Sequence, residues 1–170
     1  MKNQVANEEE SYEFLIENIK DDNQRKRIEL ALKYYIQNAN RCKKYDKLYS
    51  ILLVVLPALA TLFSCALMRF PNTHGALDIM VPIITAATSI AAGISSTLKF
   101  KDKKIAYRDY AENLKNILTA YSCNKGEFSG LDLEAKEELL FEKTEQIIHE
   151  GYKKLGNIER GSNDGMDNGK

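Results

Sequence analysis

Residues 48–68 read LYSILLVVLPALATLFSCALM and residues 79–98 read IMVPIITAATSIAAGISSTL, and neither stretch contains Asp, Glu, Lys or Arg. All 24 basic and 24 acidic residues of the 170-residue chain therefore lie outside them. A helix needs about 20 apolar residues to cross a bilayer, and both stretches have that length. A buried hairpin in a soluble protein would need a shell of apolar helices that this chain is too short to provide. We therefore predict two transmembrane helices.

The segment between the two spans predicts a hairpin and its orientation. Residues 69–78 read RFPNTHGALD, and the turn formers Pro71, Asn72 and Gly75 favour a tight antiparallel connection. Arg69 is the only basic residue of this loop, whereas many basic residues flank the other ends of the two spans. The positive-inside rule then places both termini in the cytoplasm and the loop outside.

The flanking segments complete an all-α membrane protein. We predict cytoplasmic helices over residues 11–47 and 99–155 that form a bundle, with a tail at 1–10 and a disordered, Gly-rich tail at 156–170. Asp132 is the expected N-cap of the last helix. The residues expected at the membrane interface are basic or aromatic, namely Lys43, Lys44, Lys47, Tyr49, Phe100, Lys101, Tyr107 and Arg108.

The second span has one polar face. On a helical wheel, one arc of about 120° gathers Thr85, Thr88, Ser89, Ala92, Ser95, Ser96 and Lys99. Ile79, Ile83, Ile90, Ile94 and Leu98 take the opposite face. The polar arc is explained either by close helix packing through small residues or by a pore to which each subunit contributes one helix. Both explanations require a homo-oligomer, because the single neighbour in a hairpin cannot cover so wide an arc.

Residues suited to catalysis or metal binding are few. Cys42 and Cys123 would face a reducing cytoplasm and Cys65 lies in a span, while His74 and His149 have no clustered partners. Motifs for phosphate binding or hydrolysis are absent from the sequence. The formal net charge of zero gives no reason to expect nucleic acid as a partner. We expect neither enzymatic activity nor a cofactor, and the lipid bilayer is the first expected partner.

Several segments in order resemble the SLATT superfamily, two-transmembrane proteins of bacterial conflict systems. The resemblance covers roughly Ile28 to Leu155. It rests on a tyrosine pair, a basic juxtamembrane stretch, a proline in the first span and LKFKDKKIAYRDYAENLKNI at 98–117. The residues concerned are Tyr34, Tyr35, Arg41, Lys43, Lys44, Pro57, Phe100, Tyr107, Arg108, Ala111, Glu112, Leu114, Phe141 and Glu145.

This resemblance implies a pore-forming effector of the inner membrane, released by nucleotide-dependent sensing in antiphage defence. The chain differs from the family pattern at Ile117, where an acidic residue is common. No nucleotide-sensing domain is fused to it, so a trigger would bind the helices or a separate sensor protein. The alternative function is a non-conducting membrane scaffold or adaptor for such a sensor.

Overall fold

The computed structural model describes residues 14–69 and 74–167, and the side chains of residues 14–66 and 79–161. The main elements of these residues are helices α1 (Asp22–Arg69), α2 (His74–Leu98), α3 (Phe100–Ser122) and α4 (Leu133–Asp167), with a 3-10 turn at Gly126–Phe128. Residues 14–16 are also helical. The expected tail at 1–10, loop residues 70–73 and tail residues 168–170 lie outside the described residues. The all-helical prediction is confirmed at this level.

The chain divides into two compact units. We call Met1–Asn40 with Asp102–Ile158 the bundle unit, and Arg41–Lys101 with Glu159–Lys170 the hairpin unit. Helix α1 runs without a break from the bundle unit into the hairpin unit. It contains no Gly, and its one proline, Pro57, lies within the hairpin unit. Each unit is described separately below.

In the bundle unit, α1 and α4 run parallel and α3 runs antiparallel to them. Arg27 of α1 makes a two-pronged ion pair with Glu145 of α4, and the Tyr35 hydroxyl donates to the carbonyl oxygen of Ile148 at 3.4 Å. At the C-terminal end of α3, the Ser122 hydroxyl donates to the carbonyl oxygen of Leu15, which precedes α1, at 3.4 Å. These contacts fix which ends of the helices lie together.

The apolar stripes of the bundle unit cover one another within a single chain. Leu32, Leu114, Leu118 and Leu140 are completely buried. Truncating such a residue to alanine typically costs about 2–5 kcal/mol. The buried core consists of Ile16, Ile19, Ile28, Leu32, Tyr35, Ile36, Ala106, Tyr110, Ala111, Leu114, Leu118, Tyr121, Phe128, Leu140 and Leu155.

Two helix starts follow from acidic N-caps. Asp21 lies one residue before the start of α1, and its carboxylate accepts a hydrogen bond from the Asn23 backbone N–H at 2.8 Å. The Asp132 carboxylate accepts one from the Ala135 N–H at 3.0 Å, which confirms Asp132 as the cap of α4. Asp22 also pairs with Lys26 and Arg25, which hold the pKa of its carboxyl below the ordinary value.

Three helix boundaries differ from the sequence prediction. The helical wheel of the second span includes Lys99, but the φ of 46° at this residue ends the helix, so α2 stops at Leu98 and α3 begins at Phe100. Helix α2 begins at His74, inside the predicted loop 69–78; Gly75 lies in its first turn, where glycine costs less than in a helix interior. Helix α4 continues past Gly156 to Asp167. Burial of Leu155 and packing of Ile158 against the core offset the low helix propensity of that glycine.

The hairpin unit is formed by α2 and the second part of α1. On each helix, a set of half-buried or buried residues recurs at alternating spacings of three and four, which is the pattern of a left-handed helix pair. They are Tyr49, Leu53, Leu56, Ala60 and Phe63 on α1, and Val81, Ile84, Thr88, Ala91 and Ser95 on α2.

Both helices of the hairpin unit are long and apolar enough to span a membrane. Their apolar segments are hardly buried, unlike the core helix of a soluble protein. Val54 is 71% exposed on α1 and Ile90 is 63% exposed on α2. An apolar surface of this kind suits lipid, so the two candidate spans indicate association with a membrane.

Alkaline pH is expected to destabilise the bundle unit. Burial raises the pKa values of Tyr35, Tyr110 and Tyr121. Unfolded tyrosines ionise near pH 10, so above that pH the folded chain binds more protons and its unfolding free energy falls as pH rises.

The measurement is denaturant unfolding of the full-length protein, followed by circular dichroism, at about pH 8 and about pH 11. The loss of stability between these two values should be smaller in a Tyr35→Phe/Tyr121→Phe variant. Equal stability of the original protein at both pH values would contradict this prediction.

Candidate functional site

The candidate site is a shallow groove on the hairpin unit, which we call the polar groove after the hydroxyl groups of Thr85, Thr88 and Ser89, although most of its lining surface is apolar. Its volume is about 330 Å³, and it is lined by Pro57 and Ala60 of α1 and by Thr85, Thr88, Ser89 and Ala92 of α2. All six side chains are small or compact, so the two helices leave space between them at this level. The surrounding surface of both helices carries larger aliphatic side chains.

The predicted polar arc of α2 is divided by this geometry. Thr88, Ser95 and Lys99 are half-buried, and Thr88 and Ser95 belong to the seam between α1 and α2. Thr85, Ser89, Ala92 and Ser96 are exposed. The second set is the more open to a partner outside the chain, and Thr88 also lines the polar groove although it is half-buried. Ala91, which lies between the two predicted faces, is 6% exposed and is the most buried residue of α2.

The opposite face of α2 is divided in the same way. Ile79, Ile83 and Ile90 are each about 60% exposed. Ile94 is half-buried, although the wheel groups it with them. The seam therefore lies between the two faces that the sequence distinguishes.

The hydroxyl groups of the polar groove are bonded to their own helix. Thr85 donates to the Val81 carbonyl oxygen at 2.9 Å, Thr88 to that of Ile84 at 2.8 Å and Ser89 to that of Thr85 at 3.1 Å. Such bonds to the carbonyl four residues earlier satisfy the hydroxyl proton without any partner helix. The argument for a partner at the groove consequently rests on the shape and exposure of the groove, since its hydroxyl protons already have acceptors.

The predicted interface residues lie in two separate places. In the hairpin unit, the Phe100 ring stacks on those of Tyr45 and Tyr49, with centroid separations of 5.4 and 5.5 Å. Lys43, Lys44, Lys47 and Lys101 are exposed in the same unit. Tyr107 and Arg108 instead belong to the bundle unit. The eight residues are therefore not one group, because the chain turns at Lys99 and only the start of α3 belongs to the hairpin unit.

Tyr107 belongs to a tyrosine cluster that the sequence does not predict. Its ring lies 5.9 Å from that of Tyr34 and 6.3 Å from that of Tyr35. Tyr35 also contacts Tyr110 at 5.9 Å, and Tyr34 contacts Tyr152 at 6.5 Å. Residues far apart in sequence supply these rings, so only the pair Tyr34–Tyr35 is visible as a local signal. Arg108 makes an ion pair with Glu112 at 3.2 Å.

A glycine makes room for this cluster. A Cβ atom at Gly151 of α4 would collide with the hydroxyl oxygen of Tyr35, and it would lie 3.4 Å from Cγ of Tyr110. The Tyr110 hydroxyl donates to the carbonyl oxygen of Glu150 at 3.3 Å. Gly151 thus occupies a helix interior, where glycine is unfavourable, because α4 packs against two tyrosines there.

Groups of His, Cys, Asp and Glu able to hold a metal ion do not occur within the described residues. Cys42, Cys65 and Cys123 form no disulfide within the described residues. His149 is exposed on α4, and the side chain of His74 lies outside the described set.

Residues 31–136 match the model of a family described as "Protein of unknown function (DUF4231)". The chain belongs to the DUF4231 family. No curated protein and no solved structure matches it. The DUF4231 match includes both candidate spans, every residue of the polar groove and four rings of the tyrosine cluster. Gly151 and Tyr152, which complete that cluster from α4, lie beyond the matched residues.

Proposed function

We propose that this DUF4231 protein is a homo-oligomer of the bacterial inner membrane that permeabilises the membrane when triggered. In this proposal each subunit inserts its hairpin unit, and the polar grooves of neighbouring subunits together surround a water path. The bundle unit lies in the cytoplasm, where it is accessible to a signal.

The observation that carries the proposal is the exposure of Thr85, Ser89 and Ala92 beside Pro57 and Ala60. In a bilayer this groove would leave small and polar groups against lipid chains, while exposed aliphatic residues cover the rest of the hairpin unit. Residues of this type in a membrane helix favour contact with other helices or with water. In a homo-oligomer, neighbouring subunits would supply the other helices and would enclose the water between them.

The resemblance to the SLATT superfamily supports the biological setting. It implies a role in antiphage or nucleotide-signalled defence, in which permeabilisation follows sensing. A separate nucleotide-sensing protein is the proposed partner, and the bundle unit is the surface it would contact.

A non-conducting scaffold or adaptor is the second candidate function. Its support is the set of hydroxyl bonds within α2, which lets the polar groove be covered by another helix without leaving protons unpaired. In that case the groove serves assembly alone, and the oligomer presents bundle units to a partner.

Ion release from liposomes containing the full-length protein tests the proposal. A pore predicts release above that of protein-free liposomes, together with a defined subunit number in detergent. A scaffold predicts the same defined oligomer without ion release. A protein that stays monomeric in both settings would contradict both candidate functions.

Orientation is tested separately, by labelling cysteines from outside intact spheroplasts. The basic residues next to the spans predict that both termini are cytoplasmic. In an otherwise cysteine-free variant, His74→Cys should react with an impermeant reagent, whereas Cys42 as the single cysteine should be protected. The reverse pattern would show an inverted hairpin.

A further inference from the structure

Three lysines at the start of the apolar part of α1 have no ionic partner in the part of the chain that the structure describes. Lys43, Lys44 and Lys47 are exposed, and none of them makes an ion pair within the described residues. Cations of the bundle unit are frequently paired, as in Arg25, Lys26, Arg27, Lys115 and Lys143. The three lysines, which we call the lysine triad, therefore concentrate positive charge that no ion pair within the described residues neutralises.

The lysine triad points away from the seam of the hairpin unit. The seam side of α1 at this level is marked by the half-buried Cys42, Asp46 and Tyr49. Residues 43, 44 and 47 occupy the opposite side of the helix, because four residues make about one turn. Their ammonium groups are thus available to a partner that lies against the outside of the hairpin unit.

The apolar side chains of the same face begin one turn further along α1. Leu48 follows Lys44 by four residues and Ile51 follows Lys47 by four, and both are about half exposed. Val54 and Val55 continue the face. Positive charge followed directly by an exposed aliphatic surface is the complement of a phospholipid, whose anionic headgroup is joined to apolar chains.

We propose that the lysine triad and the aliphatic face that follows it along α1 bind one anionic phospholipid. The ammonium groups contact the headgroup phosphate, and the acyl chains lie along Leu48, Ile51 and Val55. Lys101 adds a further exposed cation to this unit, immediately after Phe100, whose ring stacks on Tyr45 and Tyr49. The site prefers a lipid with net negative charge, because a choline group would place another cation beside the triad.

The test is lipid binding to the full-length protein in a non-ionic detergent, counted by native mass spectrometry. Phosphatidylglycerol and phosphatidylcholine with the same acyl chains are titrated separately. We expect tighter binding of phosphatidylglycerol, and a loss of at least about tenfold in that affinity when Lys43, Lys44 and Lys47 are all replaced by glutamine. Phosphatidylcholine binding should be unchanged by these replacements.

Two matched variants separate the site from general charge. Lys33→Gln/Lys125→Gln/Lys153→Gln removes the same charge from exposed positions of the bundle unit and should bind phosphatidylglycerol like the original protein. Replacement of the triad by three arginines should also preserve binding. If the triple glutamine variant loses helix content, Lys44→Gln and Lys47→Gln alone are each expected to weaken binding about fivefold.

Three results would overturn the proposal. The first is an equal loss of affinity in the control variant, which would show that only net charge matters. The second is equal binding of the two lipids by the original protein, or unchanged binding in the folded triad variants. The third is displacement of phosphatidylglycerol by inorganic phosphate at similar concentrations, which would identify a site for free phosphate instead of lipid.

Discussion

Ser89→Leu and Ala92→Leu are each expected to abolish ion release from proteoliposomes while leaving the subunit number unchanged. Both positions line the polar groove and are exposed in the single chain, so a longer side chain extends outward. If the groove faces a water path, leucine narrows and dries that path without touching the seam of the hairpin unit. The measurements are ion release and oligomer size in detergent.

The same two variants distinguish the candidate functions. If the groove instead packs against a neighbouring helix, leucine overfills the interface at a cost of about 1–3 kcal/mol, and the oligomer dissociates. Ile90→Leu, on the exposed face away from the groove, is the control and should change neither quantity. Full ion release from both groove variants would show that the groove takes no part in conduction.

Thr88 is a poor choice for this experiment, although the sequence places it in the polar arc. Its side chain is half-buried in the seam and its hydroxyl is bonded to the carbonyl oxygen of Ile84. A leucine there would disturb the packing of α1 on α2 within one chain. Loss of release in Thr88→Leu would therefore not separate a blocked path from a damaged hairpin.

Gly151→Ala is expected to destabilise the bundle unit by about 1–3 kcal/mol, despite the higher helix propensity of alanine. The added Cβ collides with the Tyr35 hydroxyl oxygen, and Tyr35 is fully buried and cannot move aside freely. Tyr35→Phe removes that oxygen and leaves Cζ of the ring as the nearest atom, 3.2 Å from the new Cβ. The double variant should therefore recover at least about 1 kcal/mol relative to additivity.

Unfolding of the full-length protein, followed by circular dichroism, measures this coupling. Gly156→Ala is the matched control, because Gly156 lies in the same helix and a Cβ there would have no neighbouring atom within 4 Å. It should stabilise the protein by up to about 1 kcal/mol through helix propensity alone. Equal stability of the Gly151→Ala and Gly156→Ala variants would show that Tyr35 does not constrain α4.

The sequence predicts the elements of this fold better than their faces. Absence of charge defines both candidate spans, and Asp132 marks the start of α4. The seam of α2 is less visible, because Val81 and Ile84 in the seam are as apolar as Ile83 and Ile90, which face outward. In a membrane both kinds of surface are apolar, so hydrophobic periodicity does not tell a helix contact from a lipid contact.

Two other features are hard to predict from the local sequence. The turn at Lys99 uses a left-handed conformation that lysine adopts at some cost, so no local signal announces it. The tyrosine cluster joins α1, α3 and α4, and Gly151 is explained only by its close contacts with Tyr35 and Tyr110. A glycine in the middle of a predicted helix is the one hint that such a close approach exists.

The hydroxyl bonds within α2 also determine how water would meet the polar groove. Thr85, Thr88 and Ser89 each have a single hydroxyl proton, and each donates it to a backbone carbonyl. Only oxygen lone pairs then remain available on these three side chains. A water molecule touching them must donate its own hydrogens to the wall, so the first water layer would be oriented with its negative end toward the centre of the path.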